Sequence, residues 1–190
     1  MRRSDAASLV RARLEHEALV VCGLGSSGRA WREQQAPHPT YYASDPMGMG
    51  PALALGLALA QPTRQVVLLE GDGDLSMNLG ALITVVDAAP PNLKIVVFQN
   101  ARYETGGGQP LPAADRVAFA TIAQGAGFPW AAEASTSEEA APLVAALLER
   151  PGPALLALHV EPEPSPYPAP GRWAQVEERT LFMRRLHGEE

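Results

Sequence analysis

The strongest constraint on this chain is that its extended segments are apolar nearly from end to end. Residues 18–22, 65–70, 93–98 and 154–160 contain runs such as Leu19-Val20-Val21, Ile95-Val96-Val97 and Leu155-Leu156. A strand wetted on one face would alternate polar and apolar side chains, so strands of this kind must be covered on both faces. Segments with helical character lie between them, among them 49–60, 75–88 and 138–150. Strands alternating with helices predict an α/β domain, an open, mostly parallel sheet with helices on both faces.

Ser4 and Asp5 are placed to cap a first helix reaching about His16. A strand follows at 18–22, then a loop at 23–28 and a short strand at 40–43. Helix 49–60 tolerates Pro51, because a first-turn residue has no intrahelical N–H bond to lose. Strand 65–70 runs into a tight turn, Gly71-Asp72-Gly73, and a helix at 75–88 with Met77 and 79–86 in its core ends before Pro90-Pro91. A strand at 93–98, a glycine-rich loop at 100–112, a helix near 116–124, a short strand at 130–132, a helix at 138–150 and a last strand at 154–160 complete one domain over residues 1–160. Residues 161–190 read as a proline-rich, extended connector (161–170) and a helix from about Trp173 to Leu186, packed on the same domain or on a partner.

Composition narrows the setting. The 190 residues suit one domain, and no apolar run approaches the roughly 20 residues that span a bilayer. Neither a membrane nor export is expected, and a cytoplasmic location fits best. The single cysteine, Cys22, permits no internal disulfide and cannot alone hold a metal cluster. A net charge of −6 argues against nucleic acid as a partner.

The chemistry concentrates in Glu70-Gly71-Asp72-Gly73-Asp74 and Gln99-Asn100-Ala101-Arg102. Asp72 and Asn100 stand 28 positions apart, the span of one βαβ unit, so both emerge beyond the carboxyl ends of strands, where open α/β sheets place their ligands. An Asp carboxylate, an Asn amide oxygen and a loop carbonyl are hard donors suited to Mg²⁺, which commonly shares phosphate oxygens as ligands. Glycines at 71 and 73 allow backbone to approach such a phosphate, and the amino end of the next helix offers N–H groups to it.

These motifs resemble the pyrophosphate-binding domain of thiamine diphosphate enzymes, and within that group the sulfopyruvate decarboxylase β subunit and phosphonopyruvate decarboxylase family. The likeness extends over Gly25-Ser26-Ser27-Gly28-Arg29, residues 42–59, residues 71–80 and Asn100-Ala101-Arg102-Tyr103-Glu104-Thr105-Gly106-Gly107-Gly108-Gln109. It implies thiamine diphosphate and Mg²⁺ as cofactors, with the metal on Asp72, Asn100 and the carbonyl of Arg102. It implies further that Gly71, Gly73, Asp74, Leu75, Tyr103 and Thr105 hold the diphosphate, and that main-chain groups around Asp45, Met47 and Gly48 meet the aminopyrimidine. Met47 matches the bulky residue that props the cofactor into its bent shape, bringing its 4′-imino nitrogen close to the thiazolium C2–H. The activating Glu is expected on a separate pyrimidine-binding subunit of similar length, in a hetero-oligomer such as α2β2 or larger. Three departures stand out: Asp74 where a Ser is common, the Ser44-Asp45-Pro46-Met47-Gly48 turn, and the glycine-rich Thr105-Gly106-Gly107-Gly108. Because a carboxylate would repel a diphosphate, the Asp74 side chain is expected to turn outward.

The resulting expectation is a carbon–carbon lyase subunit that decarboxylates a small 2-oxoacid. Arg29 and Arg102 are candidates for a second anionic group on that substrate, since guanidinium matches carboxylate, sulfonate or phosphonate oxygens. Alternatives within the class are a carboligase, an oxoacid oxidoreductase subunit and a non-catalytic cofactor-binding subunit. A more distant one is a nicotinamide-binding Rossmann domain, because Gly23-Leu24-Gly25-Ser26-Ser27-Gly28 formally matches the dinucleotide fingerprint. The region after it, with Pro37-His38-Pro39, does not continue as that unit requires.

Overall fold

The computed structural model describes residues 1–44, 46–163 and 174–189. Six parallel strands form the main sheet: β1 (Leu19–Cys22), β2 (Thr40–Tyr42), β3 (Val66–Gly71), β4 (Leu93–Gln99), β7 (Trp130–Ala134) and β8 (Ala154–His159), in the order β2-β1-β3-β4-β8-β7. The two short strands between β4 and β7, β5 (Arg102–Tyr103) and β6 (Gln109–Pro110), make an antiparallel hairpin inside the predicted glycine-rich loop.

The apolar strands are covered as their composition requires. Val20, Cys22, Val67, Leu69, Val96 and Leu156 face one core with α1 (Arg3–Arg11), α2 (Ser26–Glu33) and α7 (Ser137–Glu149). The alternate residues Leu19, Val21, Leu68, Ile95, Val97 and Leu155 face a second core with α3 (Gly50–Ala60), α5 (Ala81–Ala88) and α6 (Phe119–Ala126). Each buried Leu, Val or Ile contributes about 1.5–3 kcal/mol, and two such layers explain why this chain needs neither disulfide nor metal to hold its sheet. The buried Cys22 thiol is part of that packing.

Several local expectations are corrected. The first helix spans Arg3–Arg11 without a side-chain cap, short of His16. The loop after β1 gives way to α2 at Ser26. Gly71-Asp72-Gly73 is no tight turn: Gly71 is the N-cap of a one-turn helix, α4 (Asp72–Leu75), which passes through a 3₁₀ turn at Ser76–Asn78 before α5 begins. The predicted continuous helix is thus broken, and Met77 and Ile83 lie outside its core, 53% and 63% exposed. The helix placed near 116–124 is α6, shifted toward its carboxyl end, and the strand placed at 130–132 continues to Ala134. Helix α7 starts where local chemistry dictates: the Thr136 hydroxyl accepts the Glu139 N–H at 3.2 Å while the Glu139 carboxylate accepts the Thr136 N–H.

The terminal helix, α8 (Ala174–Leu186), packs on the edge strand β2. Phe182 is its buried anchor, set edge-on to Tyr41 with ring centroids 5.6 Å apart. The connector expected to be extended lies largely outside the described residues, as does Asp45. Among the described residues no helix is long and apolar enough to cross a membrane.

Candidate functional site

The strand order fixes where a ligand can enter. From β1 the chain moves outward to β2, then returns to place β3 on the other side of β1. The segments leaving β1 and β3 therefore part to opposite faces, α2 toward one core and α4–α5 toward the other. A crevice opens at such a switch point, beyond the carboxyl ends of the strands. Here it is a cavity of about 310 Å³, lined by the starts of α2 and α4, by Asn100 after β4, and by Met47.

Asp72 and Asn100 are brought together because β3 and β4 are neighbours, with Gly71 paired to Phe98. Asp72 Oδ1 accepts the Gly73 N–H at 2.8 Å and Oδ2 accepts the Ala101 N–H at 2.6 Å. Asn100 Oδ1 accepts the Arg102 N–H at 2.9 Å. Burial pushes the Asp72 carboxyl up to about 6 despite these hydrogen bonds, so its charge is poorly solvated and a cation beside it would relieve that cost. A carboxylate offers about four lone-pair positions, and backbone N–H groups of Ala101, Gly73 and Asn100 take up to three of them, leaving room for a cation. The donor set at this corner is carboxylate and amide oxygen, which fits a hard divalent ion touching phosphate.

Around that corner the loops are tightly fitted. The Tyr103 ring lies against Gly73, where a Cβ would come within 2.9 Å of Tyr103 Cδ1 and 3.4 Å of Leu111 Cδ2. Gly73→Ala must therefore displace the Tyr103 ring from its place over the start of α4. We expect it to weaken diphosphate binding by roughly tenfold or more, a loss of about 1.4 kcal/mol per tenfold, with a thermal midpoint close to wild type; calorimetric titration and thermal melts check this.

Expected residues that line the cavity include Arg29 on α2, Met47, Asp74, Tyr103, Thr105 and Arg102. Met47 is 41% exposed. Gly48 sits beside the site through its hydrogen bond to Asp74, whereas Leu75 is fully buried in the core behind it. The expectation for the Asp74 side chain is overturned. It points inward and is nearly buried, accepting backbone N–H groups of Leu24 and Gly48 that draw the carboxylate in.

Other residues of the site had no signal in the sequence. Arg3 lines the cavity and meets Glu104 at 2.7 Å, both nearly buried, tying α1 to the loop after β5. Burial pulls the Glu104 carboxyl up, but hydrogen bonds from Arg3 and Ser26 outweigh it and hold it below the usual carboxylate range. Arg32 stacks over Tyr42 at 3.8 Å and makes a two-pronged pair with Glu178 of α8, at 2.9 and 2.8 Å. Glu70, fully buried at the end of β3, is pushed well up by burial and by the neighbouring Asp74 carboxylate. A pairing such as Arg3 with Glu104, 101 positions apart, leaves no local pattern to read.

A doubly wound domain with oxygen donors and two helix starts converging on a switch-point cavity is a cofactor-binding domain of the kind that holds a diphosphate. The family described as thiamine pyrophosphate enzyme, C-terminal TPP binding domain, matches residues 23–158, and the chain belongs to it. The sulfopyruvate decarboxylase β subunit of Methanothermobacter thermautotrophicus is 38% identical over 128 residues, 67% of this chain and 68% of that subunit. Phosphonopyruvate decarboxylase of Streptomyces viridochromogenes is 31% identical over 151 residues; the match takes in 80% of this chain but only 38% of that longer one. In fold, the chain resembles the thiamine diphosphate-dependent 4-hydroxybenzoylformate decarboxylase of Rhodococcus jostii RHA1, with a TM-score of 0.71 at 24% identity over 87% of this chain and 33% of that one. These likenesses bear out the fold class, the family and the reading of the chain as a thiamine diphosphate-binding chain akin to decarboxylases. The fingerprint-like Gly23–Gly28 segment belongs to the same cavity as Asp72 and Asn100, not to a separate nicotinamide unit.

Proposed function

We propose that this chain is the diphosphate-binding subunit of a thiamine diphosphate- and Mg²⁺-dependent 2-oxoacid decarboxylase, completed by a pyrimidine-binding partner. The observation that carries it is the convergence of Asp72 and Asn100 beyond adjacent strands, in one cavity with Met47. Asp72, Asn100 and the Arg102 carbonyl would hold Mg²⁺. Backbone at Gly71, Gly73 and Asp74, with Tyr103 and Thr105 on the loop after Asn100, would hold the diphosphate. The turn at Asp45, Met47 and Gly48 would support the aminopyrimidine end. Bound there, thiamine diphosphate supplies the electron sink for cleaving the bond between a 2-oxo carbon and its carboxylate. The protein's part is to bind, orient and exclude water: Arg3–Glu104 and Arg32–Glu178 pin the elements around the cavity, and Met47 restricts the conformer.

The substrate class is read from individual side chains of the lining. The cavity is bordered by Arg3, Arg29, Arg32 and Arg102 and by as many carboxylates, and of the arginines Arg29 and Arg102 are the ones we assign to a short 2-oxoacid carrying a second anionic group, such as sulfopyruvate or phosphonopyruvate, whose oxygens a guanidinium matches. A panel of 2-oxoacids assayed for CO₂ release with the partner present tests this. The expected result is a kcat/KM for the dianionic acids at least about tenfold above pyruvate; a clear preference for pyruvate or other uncharged side chains defeats it. CO₂ release without an added electron acceptor distinguishes the decarboxylase from an oxoacid oxidoreductase.

The partner surface is proposed to include Met47, Met49, Met77 and Ile83, which are between 41% and 63% exposed. Met47 lines the cavity, the Met77 backbone and Asn78 lie against Gly48, and α3 packs on α5, so the segments that carry these side chains are neighbours. Apolar side chains grouped in this way mark an interaction surface more often than isolated ones do.

A further inference from the structure

The cofactor reading gives the backbone at Asp74 a task but leaves its carboxylate without one. That carboxylate is nearly buried, and both of its oxygens are engaged: Oδ1 accepts the Gly48 N–H at 2.5 Å and Oδ2 accepts the Leu24 N–H at 3.1 Å. One side chain thus joins three segments that are 26 and 50 positions apart in sequence, the turn before α3, the loop after β1 and the first turn of α4.

The same carboxylate also shares a hydrogen bond with the buried Glu70 carboxyl behind it. The Glu70 carboxyl fills the space over Gly23 and Gly50, where a Cβ at either position would collide with it. The turn it grips is equally constrained: Gly48 has φ +85°, a Cβ there would stand 2.7 Å from Asn78 Cβ, and its carbonyl accepts from Asn78 Nδ2 at 3.3 Å. Gly48 is therefore held by its N–H from Asp74 and by its carbonyl from Asn78, and Met47 immediately precedes it.

We propose that Asp74 is a positioning residue, a two-acceptor strut that fixes the Met47–Gly48 turn and the Leu24 loop relative to the Asp72 corner. The proposal rests on the reading of that turn as the support of the cofactor's aminopyrimidine end. It separates two tasks: Asp72 and the loop after Asn100 grip the diphosphate, whereas Asp74 sets the orientation of what extends beyond it.

Two variants of the full chain test it. Asp74→Asn keeps the shape but replaces one acceptor oxygen by an NH₂ donor, facing an N–H it cannot accept, while Asp74→Ala removes both acceptors. In the chain without ligands, amide hydrogen exchange at Gly48 and Leu24 should rise at least about tenfold in Asp74→Ala and at one of the two in Asp74→Asn, with the amides of β3 and β4 protected as in wild type. With Mg²⁺ present, thiamine diphosphate affinity should fall roughly tenfold while that for inorganic pyrophosphate stays unchanged. Unaltered exchange at Gly48 and Leu24 in Asp74→Ala overturns the strut. Equal losses for both ligands overturn it in favour of a direct part in the anion site, and tighter pyrophosphate binding overturns it in favour of a merely repelling carboxylate. A wild-type chain that binds neither ligand overturns the cofactor reading instead, and the exchange rates then still decide whether Asp74 holds the turn.

Discussion

Asp72→Ala should abolish Mg²⁺-dependent retention of thiamine diphosphate, by about a hundredfold or more in affinity, with the fold preserved. Outer partners of a metal ligand are commonly worth 10- to about 100-fold, and Asp72 supplies the only carboxylate at the proposed corner among Asp72, Asn100 and Arg102, so its loss sits at or above that range. Stability should change little because two terms oppose. The substitution leaves the N–H groups of Gly73 and Ala101 without their acceptor, each worth about 1–3 kcal/mol if it stays buried and unsolvated. It also removes a carboxylate whose burial is unfavourable enough to raise its pKa to about 6. Gly73, in the first turn of α4, lines the cavity, and Ala101 stands between Asn100 and Arg102, which line it, so water has access from that side. Calorimetric titration with and without Mg²⁺, together with a thermal melt, checks both halves; wild-type affinity in Asp72→Ala would remove this residue from the metal site.

What the sequence allowed to be read, and what it hid, divides along physical lines. Doubly covered strands announce themselves by unbroken apolar runs, so β1, β3, β4 and β8 were legible to within a residue or two, and the 28-residue spacing was enough to place Asp72 and Asn100 at adjacent strand ends. Helix interruptions were not legible. Nothing in Leu75-Ser76-Met77-Asn78 forbids a continuous helix, and the break arises because Asp74 and Asn78 are both drawn to Gly48, a contact between segments remote in sequence. The same holds for the direction of Asp74. Repulsion from a diphosphate argues for an outward side chain, but two backbone donors from other loops decide otherwise. Charged pairs that fasten the rim, Arg3 with Glu104 and Arg32 with Glu178, depend on which termini fold back across the sheet, and periodicity carries no information about that.

The other large effect concerns the acid that must activate the cofactor. Five carboxylates lie at or just behind the described cavity; four are committed to partners or to the proposed metal corner, and the fifth, Glu70, has an unpartnered Oε2 but lies buried and does not line the cavity. Asp72 belongs to the proposed metal corner, Asp74 accepts from Gly48 and Leu24, and Glu70 is sealed behind Asp74. Glu104 is held by Arg3 and by the Glu163 N–H, while Glu178 is held by both prongs of Arg32. Redirecting Glu104 would strand the buried Arg3, at a cost of about 3–5 kcal/mol, and redirecting Glu178 would release Arg32 from a partly exposed pair. The remaining described elements are spent on one sheet and its covering helices, and the longer phosphonopyruvate decarboxylase is matched over only 38% of its length, leaving most of that chain to other structure. The activating Glu should therefore come from a pyrimidine-binding partner seated over Met47 and the apolar side chains beside it. The 190-residue chain by itself is expected to bind thiamine diphosphate weakly and to release no measurable CO₂ from 2-oxoacids. Co-purification with that partner should restore turnover by at least about a thousandfold, within the range that positioned acid–base groups and exclusion of water supply together. Ile83→Asp, which puts a charge into the proposed contact without touching the cavity, should weaken the association in sedimentation and leave cofactor binding to the isolated chain as it was. Decarboxylation at full rate by the homogeneous chain alone would overturn this division of the site.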